Sequence, residues 1–212
     1  SRQIARSATV VMAAFLISSA IGLLRNMVIT GTFEMGALDS FYAANRITEF
    51  LFNLLAGGAL GSAFIPSFTG LLTRGKTRDA WQLASGVFNV LSLILIGISA
   101  LMWIFAPQVV RYGLYVLAPN SDPGEMQLTV TMLRIMLPTV VIFGVSGLIM
   151  GVLNAHQKFL IPALSLAVYN LGIIAGTLLL PQAWGVKRLA VGALLGAIGY
   201  LLVQVPAVAR LP

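Results

Sequence analysis

Ala80 to Val110 reads AWQLASGVFNVLSLILIGISALMWIFAPQVV, 31 residues without an Asp, Glu, Lys or Arg. A helix crosses the hydrocarbon core of a bilayer with about 20 mostly apolar residues, so this stretch is long enough to span one. Working outward, uncharged stretches of 18 residues or more also cover 7–24, 50–73, 135–157, 159–186 and 189–209. The 212-residue chain is 58% hydrophobic and only 9% charged, where soluble domains carry roughly 25% charged residues. A water-soluble globule is excluded. None of the stretches shows the two-residue alternation of a β-barrel, so α-helix is the structure that satisfies the backbone in lipid. The sequence predicts an all-α integral membrane protein, a bundle of six transmembrane helices at about 7–30, 37–68, 80–105, 126–152, 160–180 and 187–208.

The charges set the orientation. Thirteen Lys and Arg stand against six Asp and Glu, a formal net charge of +7. With the N-terminus inside, the inner side holds Arg2, Arg6, Arg74, Lys76, Arg78, Lys158 and Arg210, and the outer side Arg111, Lys187 and Arg188. Seven against three predicts N-in and C-in by the positive-inside rule. Topology therefore accounts for most of the basic excess, and no nucleic-acid partner is expected. The Arg74-Gly75-Lys76-Thr77-Arg78 run is expected to anchor at anionic membrane lipids. Cys is absent and His occurs once, at His156. No thiolate site, metal or cofactor is expected, and His156 is expected to be solvated in a loop.

The first apolar stretch is not a signal peptide, because the hydrophobic pattern continues through the rest of the chain. The chain begins with Ser1 and stops at Arg210-Leu211-Pro212, directly after a span; a piece of a longer polypeptide is expected. Between the third and fourth spans, residues 107–125 predict a short interfacial helix and then a turn over Pro119 to Gly124. Trp103 and Trp184 fall near outer span ends, where belt aromatics belong. Glycines four apart at Gly57/Gly61, Gly147/Gly151, Gly172/Gly176 and Gly192/Gly196 allow close helix approach, within the bundle or across a dimer seam.

Charges inside spans demand a reason, since each at the bilayer centre costs about 2.5–3.5 kcal/mol on insertion scales. Asp39, Tyr42, Arg46, Glu49 and Asn53 are spaced +3, +4, +3, +4 and share one face of the second span. Either Arg46 and Glu49 form a buried ion pair that pins packing, or the stripe walls a water-filled cavity. Arg25 and Arg134 either snorkel outward or converge with Arg46 around one cavity, where three guanidiniums would suit a phosphate-bearing anion. Asn26, Asn53, Asn89, Asn154 and Asn170 are expected as interhelical hydrogen-bond partners. The six acidic residues are scattered, and no catalytic or metal-ligating constellation emerges; movement, rather than bond breaking, is the expected chemistry.

The residues Gly22-Leu23-Leu24-Arg25-Asn26, Leu38-Asp39-Ser40-Phe41-Tyr42-Ala43-Ala44-Asn45-Arg46-Ile47 and Gly58-Ala59-Leu60-Gly61-Ser62-Ala63-Phe64-Ile65-Pro66-Ser67-Phe68 resemble the N-terminal signature of the MurJ (MviN) lipid II flippases. Leu133-Arg134 with Pro138, the run from Gly151 to Ala163, and Asn170 are similar to the same family's fourth and fifth helices. The resemblance implies membership of the multidrug/oligosaccharidyl-lipid/polysaccharide exporter superfamily, in which two six-helix lobes rock around a central cavity. This chain would be the N-terminal lobe, and its partner the C-terminal lobe of the same polypeptide.

By the same resemblance the cargo is a lipid-linked anion, lipid II or a similar polyprenyl diphosphate glycan. It would be moved from the inner to the outer leaflet of the bacterial cytoplasmic membrane for peptidoglycan assembly. The cavity candidates are Arg25, Asp39, Arg46, Glu49, Asn53 and Arg134; of these the resemblance matches Arg25, Asp39 and Arg46 to family positions, while Glu49, absent from the family's usual pattern, and Asn53 come from the helical stripe. The pattern departs from the family's at Ser19, where an Arg is usual, at Thr48 for Pro, at Phe52 and Asn53 for two basic residues, and at Gly57 for Glu. Alternatives within the superfamily are an exporter of another polyprenyl-linked glycan or an ion-coupled drug exporter; outside it, a non-transport membrane scaffold.

Overall fold

A computed structural model describes the backbone of residues 2–54, 60–117 and 123–211, with side chains except at 2–8, 60–61 and 114–117. Gly57, which opens the first glycine pair, and turn residues Pro119 to Asp122 lie outside the described residues. Among the described residues eight α-helices follow one another: α1 (Arg2–Thr32), α2 (Met35–Phe52), α3 (Ile65–Thr73), α4 (Thr77–Ile104), α5 (Ala106–Leu117), α6 (Pro123–Ala155), α7 (Leu160–Leu179) and α8 (Lys187–Ala209). No strand occurs among the described residues, as an all-α membrane protein requires.

Among the described residues five helical segments are long and apolar enough to cross a membrane: Thr9–Thr32 of α1, and α4, α6, α7 and α8. The predicted second span, 37–68, departs from an unbroken helix. Its first part, α2, has 18 residues and holds Asp39, Arg46 and Glu49. Its last part is a π-helical turn at Leu60–Phe64 leading into α3. Pro66 lies in the first turn of α3; it has no N–H to close a bond to the preceding turn, and the widened π turn accommodates that loss. The short helix expected between the third and fourth spans is α5. Its Ala106 and Val110, four apart on one face, are fully buried, while Arg111 and Tyr112 are exposed.

Helix α6 is the axis of the bundle, packing against α2, α4 and α8, with α7 on α8 and α1 on α7. Its Met132, Leu133, Met136, Leu137 and Val140 are buried at the spacing of a wide apolar stripe. The α7–α8 seam is made by glycine. A Cβ at Gly172 would stand 2.3 Å from Gly196 Cα, and one at Gly176 would stand 2.4 Å from Gly192 Cα. Two of the predicted glycine pairs thus face each other inside the lobe, where hydrogen-only side chains let the backbones touch.

Two single-residue expectations are corrected. His156 is half-buried, stacked on Trp81 with ring centroids 6.4 Å apart and tilted against Phe68 at 6.1 Å. Its Nδ1 lies 2.9 Å from the Val152 carbonyl oxygen, so the ring closes an aromatic cluster joining α3, α4 and the end of α6. Arg188, expected as a loop cation, is only 7% exposed. Its Nη1 donates to the Thr177 carbonyl at 2.7 Å, its Nε donates to the Gly185 carbonyl at 3.1 Å, and its guanidinium lies 5.0 Å from the Phe33 ring centre. Thr177 is in the last turn of α7, whose final carbonyls have no intrahelical donor and carry partial negative charge. A cation there satisfies the helix end.

Candidate functional site

A cavity of about 460 Å³ opens between α1, α2, α6, α7 and α8. Helix α1 contributes Arg25, Asn26 and Ile29, and α2 contributes Tyr42, Asn45, Thr48 and Glu49. The opposite wall is aromatic. Phe143 of α6 sits edge-on to Tyr169 of α7 at 5.1 Å, to Tyr200 of α8 at 5.5 Å and to Phe52 of α2 at 6.3 Å. The space is therefore amphipathic, one cation and one carboxylate set against rings and aliphatic side chains.

Arg25 is the most constrained polar group there. Its Nε and Nη2 both donate to Asn26 Oδ1, at 3.2 and 2.9 Å, and its Nη1 donates to Asn170 Oδ1 at 2.9 Å. A guanidinium has five N–H donors; three are used on amide oxygens and two remain. Among the described residues no Asp or Glu forms an ion pair with Arg25, Arg46 or Arg134. The positive charge of Arg25 is thus oriented by neutral partners and left uncompensated by direct contact.

All five residues of the predicted α2 stripe are exposed, and two of them line this cavity. Tyr42 and Glu49 line the cavity, together with Asn45 and Thr48, which the stripe omitted. Asp39, Arg46 and Asn53, seven residues apart, form the next line around the helix and are exposed. Leu38, Phe41, Ala44 and Leu51 are buried, and α2 packs on α6. That packing turns the lining face about one residue from the line that charge alone marked. Arg46 and Glu49 form no ion pair with each other.

Arg134 does not join Arg25. Its Nε donates to the Trp103 carbonyl at 3.1 Å, and its guanidinium lies 4.9 Å from the Trp103 ring centre. Trp103 is next to the last residue of α4, so Arg134 serves that helix end as Arg188 serves α7. A charged hydrogen bond worth about 1.5–3 kcal/mol and a cation–π contact of about 0.5–2 kcal/mol together offset the insertion penalty of about 2.5–3.5 kcal/mol. Arg134 needs no ligand to explain its place.

Sequence reasoning had Asn26 and Asn170 as interhelical partners, and Asn170 does bridge α7 to α1. It missed Asn45, Thr48, Tyr169 and Tyr200. The +3 and +4 spacing from Tyr42 to Asn45 and Glu49 was a usable signal for the α2 pair. The two tyrosines carried none, because isolated aromatics in apolar helices are ordinary core.

Comparison with known proteins places the chain. The family model described as "Lipid II flippase MurJ" matches residues 32–211. The probable lipid II flippase MurJ of Synechocystis sp. is 31% identical over 179 residues, covering 83% of this chain and 32% of that protein. The lipid II flippase MurJ of Burkholderia cenocepacia is 31% identical over 204 residues, 90% of this chain and 37% of that one. The probable flippase of Vibrio cholerae is 31% identical over 214 residues, 97% and 41%. The chain thus spans about a third to two fifths of the length of these relatives. A solved structure, "Lipid II flippase MurJ, inward closed conformation", superposes with a TM-score of 0.72 over 92% of this chain and 40% of that one; at 24% identity it is similar in fold. The chain belongs to the lipid II flippase MurJ family.

Proposed function

We propose that this chain is the N-terminal lobe of a transporter in the bacterial cytoplasmic membrane that moves lipid-linked peptidoglycan precursor, lipid II, to the outer leaflet by alternating access. The observation that carries the reading is Arg25: a guanidinium held by two neutral amides on the wall of an amphipathic cavity, in a chain of the MurJ family. Arg binds phosphate oxygens through its planar fork, and the two N–H groups left free suit a diphosphate. The aromatic wall offers stacking surface to the sugar that follows it.

In this reading α2, the π turn and α3 together make one crossing, giving six with both ends of the chain inside. The exposed line of Asp39, Arg46 and Asn53 faces the C-terminal lobe across the central cavity, and Glu49 stands opposite Arg25 as a gating carboxylate. Arg134 leaves the cargo site for the end of α4. No bond is made or broken, so the function is transport and not catalysis.

The test is growth. The full-length polypeptide should restore a bacterium depleted of its lipid II flippase. Normal insertion without rescue would overturn lipid II as the cargo.

A further inference from the structure

We propose that Asn170 is the positioning residue of the cavity's cation: its neutral amide holds the Arg25 fork for a lipid-borne diphosphate without cancelling its charge. The inference rests on the transport reading above for the identity of the ligand, and on four observations for the role. Asn170 is 5% exposed and 145 residues away from Arg25, yet it supplies the only long-range acceptor of that guanidinium among the described residues. A Cβ at Gly22, one turn before Arg25, would stand 3.4 Å from Asn170 Nδ2, so α1 presents its smallest residue where the amide packs. Ser18 Oγ donates to the Ala163 carbonyl at 2.6 Å, a bond with the same 145-residue offset, which fixes the register of α1 on α7. Finally, Asn26 supplies the other acceptor, and it too is an amide.

The amides already accept charge-assisted bonds from the guanidinium; a carboxylate at either position would add an opposite full charge beside it and offset the positive charge directly. Arg134 and Arg188 are likewise held by neutral oxygens, but at helix-end carbonyls away from the cavity, whereas the Arg25 fork is held by side-chain amides on the cavity wall. Amide oxygens give orientation and leave the charge available, which is what an anion site needs.

The experiment follows from that difference. Binding of farnesyl diphosphate to the detergent-solubilised full-length protein is measured by calorimetry, alongside thermal stability. Asn170→Asp keeps shape and acceptor but adds a compensating charge; binding at least about tenfold weaker with stability equal to or above wild type is expected. Asn26→Asp, on the exposed side of the fork, should weaken binding similarly and serves if Asn170→Asp does not fold. Arg25→Gln should abolish binding.

Binding by both Asp variants within about twofold of wild type would overturn the proposal, as would a wild-type protein that does not bind farnesyl diphosphate. Inorganic diphosphate bound as tightly as the prenyl form would overturn the assignment to a lipid. A wild-type protein that binds farnesyl diphosphate but fails to restore growth would remove lipid II as cargo, and the two Asp variants would still decide the role of Asn170.

Discussion

Ser18 on α1 and Ala163 on α7 are joined by a hydrogen bond of 2.6 Å, and seven residues further along both helices Arg25 reaches Asn170 at 2.9 Å. Equal offsets mean that α1 and α7 run parallel in one register, with bonded positions recurring on a seven-residue seam. The cation of the cavity therefore belongs to a two-helix unit.

Loss of the Ser18 bond should loosen that unit modestly. Interhelical hydrogen bonds in membrane proteins contribute about 0.6 kcal/mol on average and up to about 1.7, so Ser18→Ala should lower thermal stability of the full-length protein by about that much. Its diphosphate affinity should fall less than that of an Arg25 variant. A Ser18→Ala protein as stable as wild type would show that the seam is held by packing alone.

Gly176 leaves no room for a side chain between α7 and α8, where an added Cβ would stand 2.4 Å from Gly192 Cα. Gly176→Ala should destabilise the protein by about 1–3 kcal/mol, the usual range for forcing extra atoms into a packed interior. Gly97→Ala on α4, where nothing lies within 4 Å of the added carbon, should be neutral or slightly stabilising because alanine favours helix. Thermal unfolding followed by fluorescence-detected gel filtration separates the two.

The arginines should divide by task. Arg188→Ala leaves the carbonyls of Thr177 and Gly185 without this donor and should cost about 1–3 kcal/mol. Arg134→Ala should lower stability through Trp103 and leave diphosphate binding of the folded fraction near wild type. Arg25→Gln should do the reverse. Stability and binding measured on the same preparations check all three, and an Arg134→Ala protein that is stable but cannot bind would return Arg134 to the cavity.

Single cysteines placed in this Cys-free chain, within an intact polypeptide cleared of other thiols, should map α2 by face. Positions 39, 42, 46, 49 and 53 are exposed and should react with a water-soluble thiol reagent, whereas 38, 41 and 44, which are buried, should not. Uniform lack of reaction would mean that the polar face meets no water and would sink the transport reading.

Much of the fold was legible because membrane insertion is decided locally. An uncharged run such as Ala80 to Val110 partitions into lipid whatever its neighbours do, and α4 (Thr77–Ile104) lies within three residues of its predicted start and one of its predicted end. The second span was read less well. Its charges broke the apolar run and Pro66 interrupted the hydrogen-bond ladder, so length alone could not show the change to π and α3. His156 carries a polar label but a flat ring, and its burial against Trp81 depends on a helix 75 residues away.

The pocket within this lobe takes some of the candidate residues and not others. Arg25 and Glu49 line it, while Asp39, Arg46, Asn53 and Arg134 do not. A charge in an apolar helix announces only that some partner exists, because the insertion penalty is the same whether a helix end, a neighbouring amide or a ligand offsets it.

By itself the sequence determined the membrane environment, the helical class and the family, all set by hydrophobicity and spacing along short stretches. The tertiary structure decided the partners. Helix rotation places Asn45 beside the cavity and turns Arg46 away, and the register of α1 on α7 brings Asn170 to Arg25 while Arg134 and Arg188 close helix ends. Those outcomes depend on how glycines and side chains let helices approach, a property of pairs of surfaces that no single stretch contains.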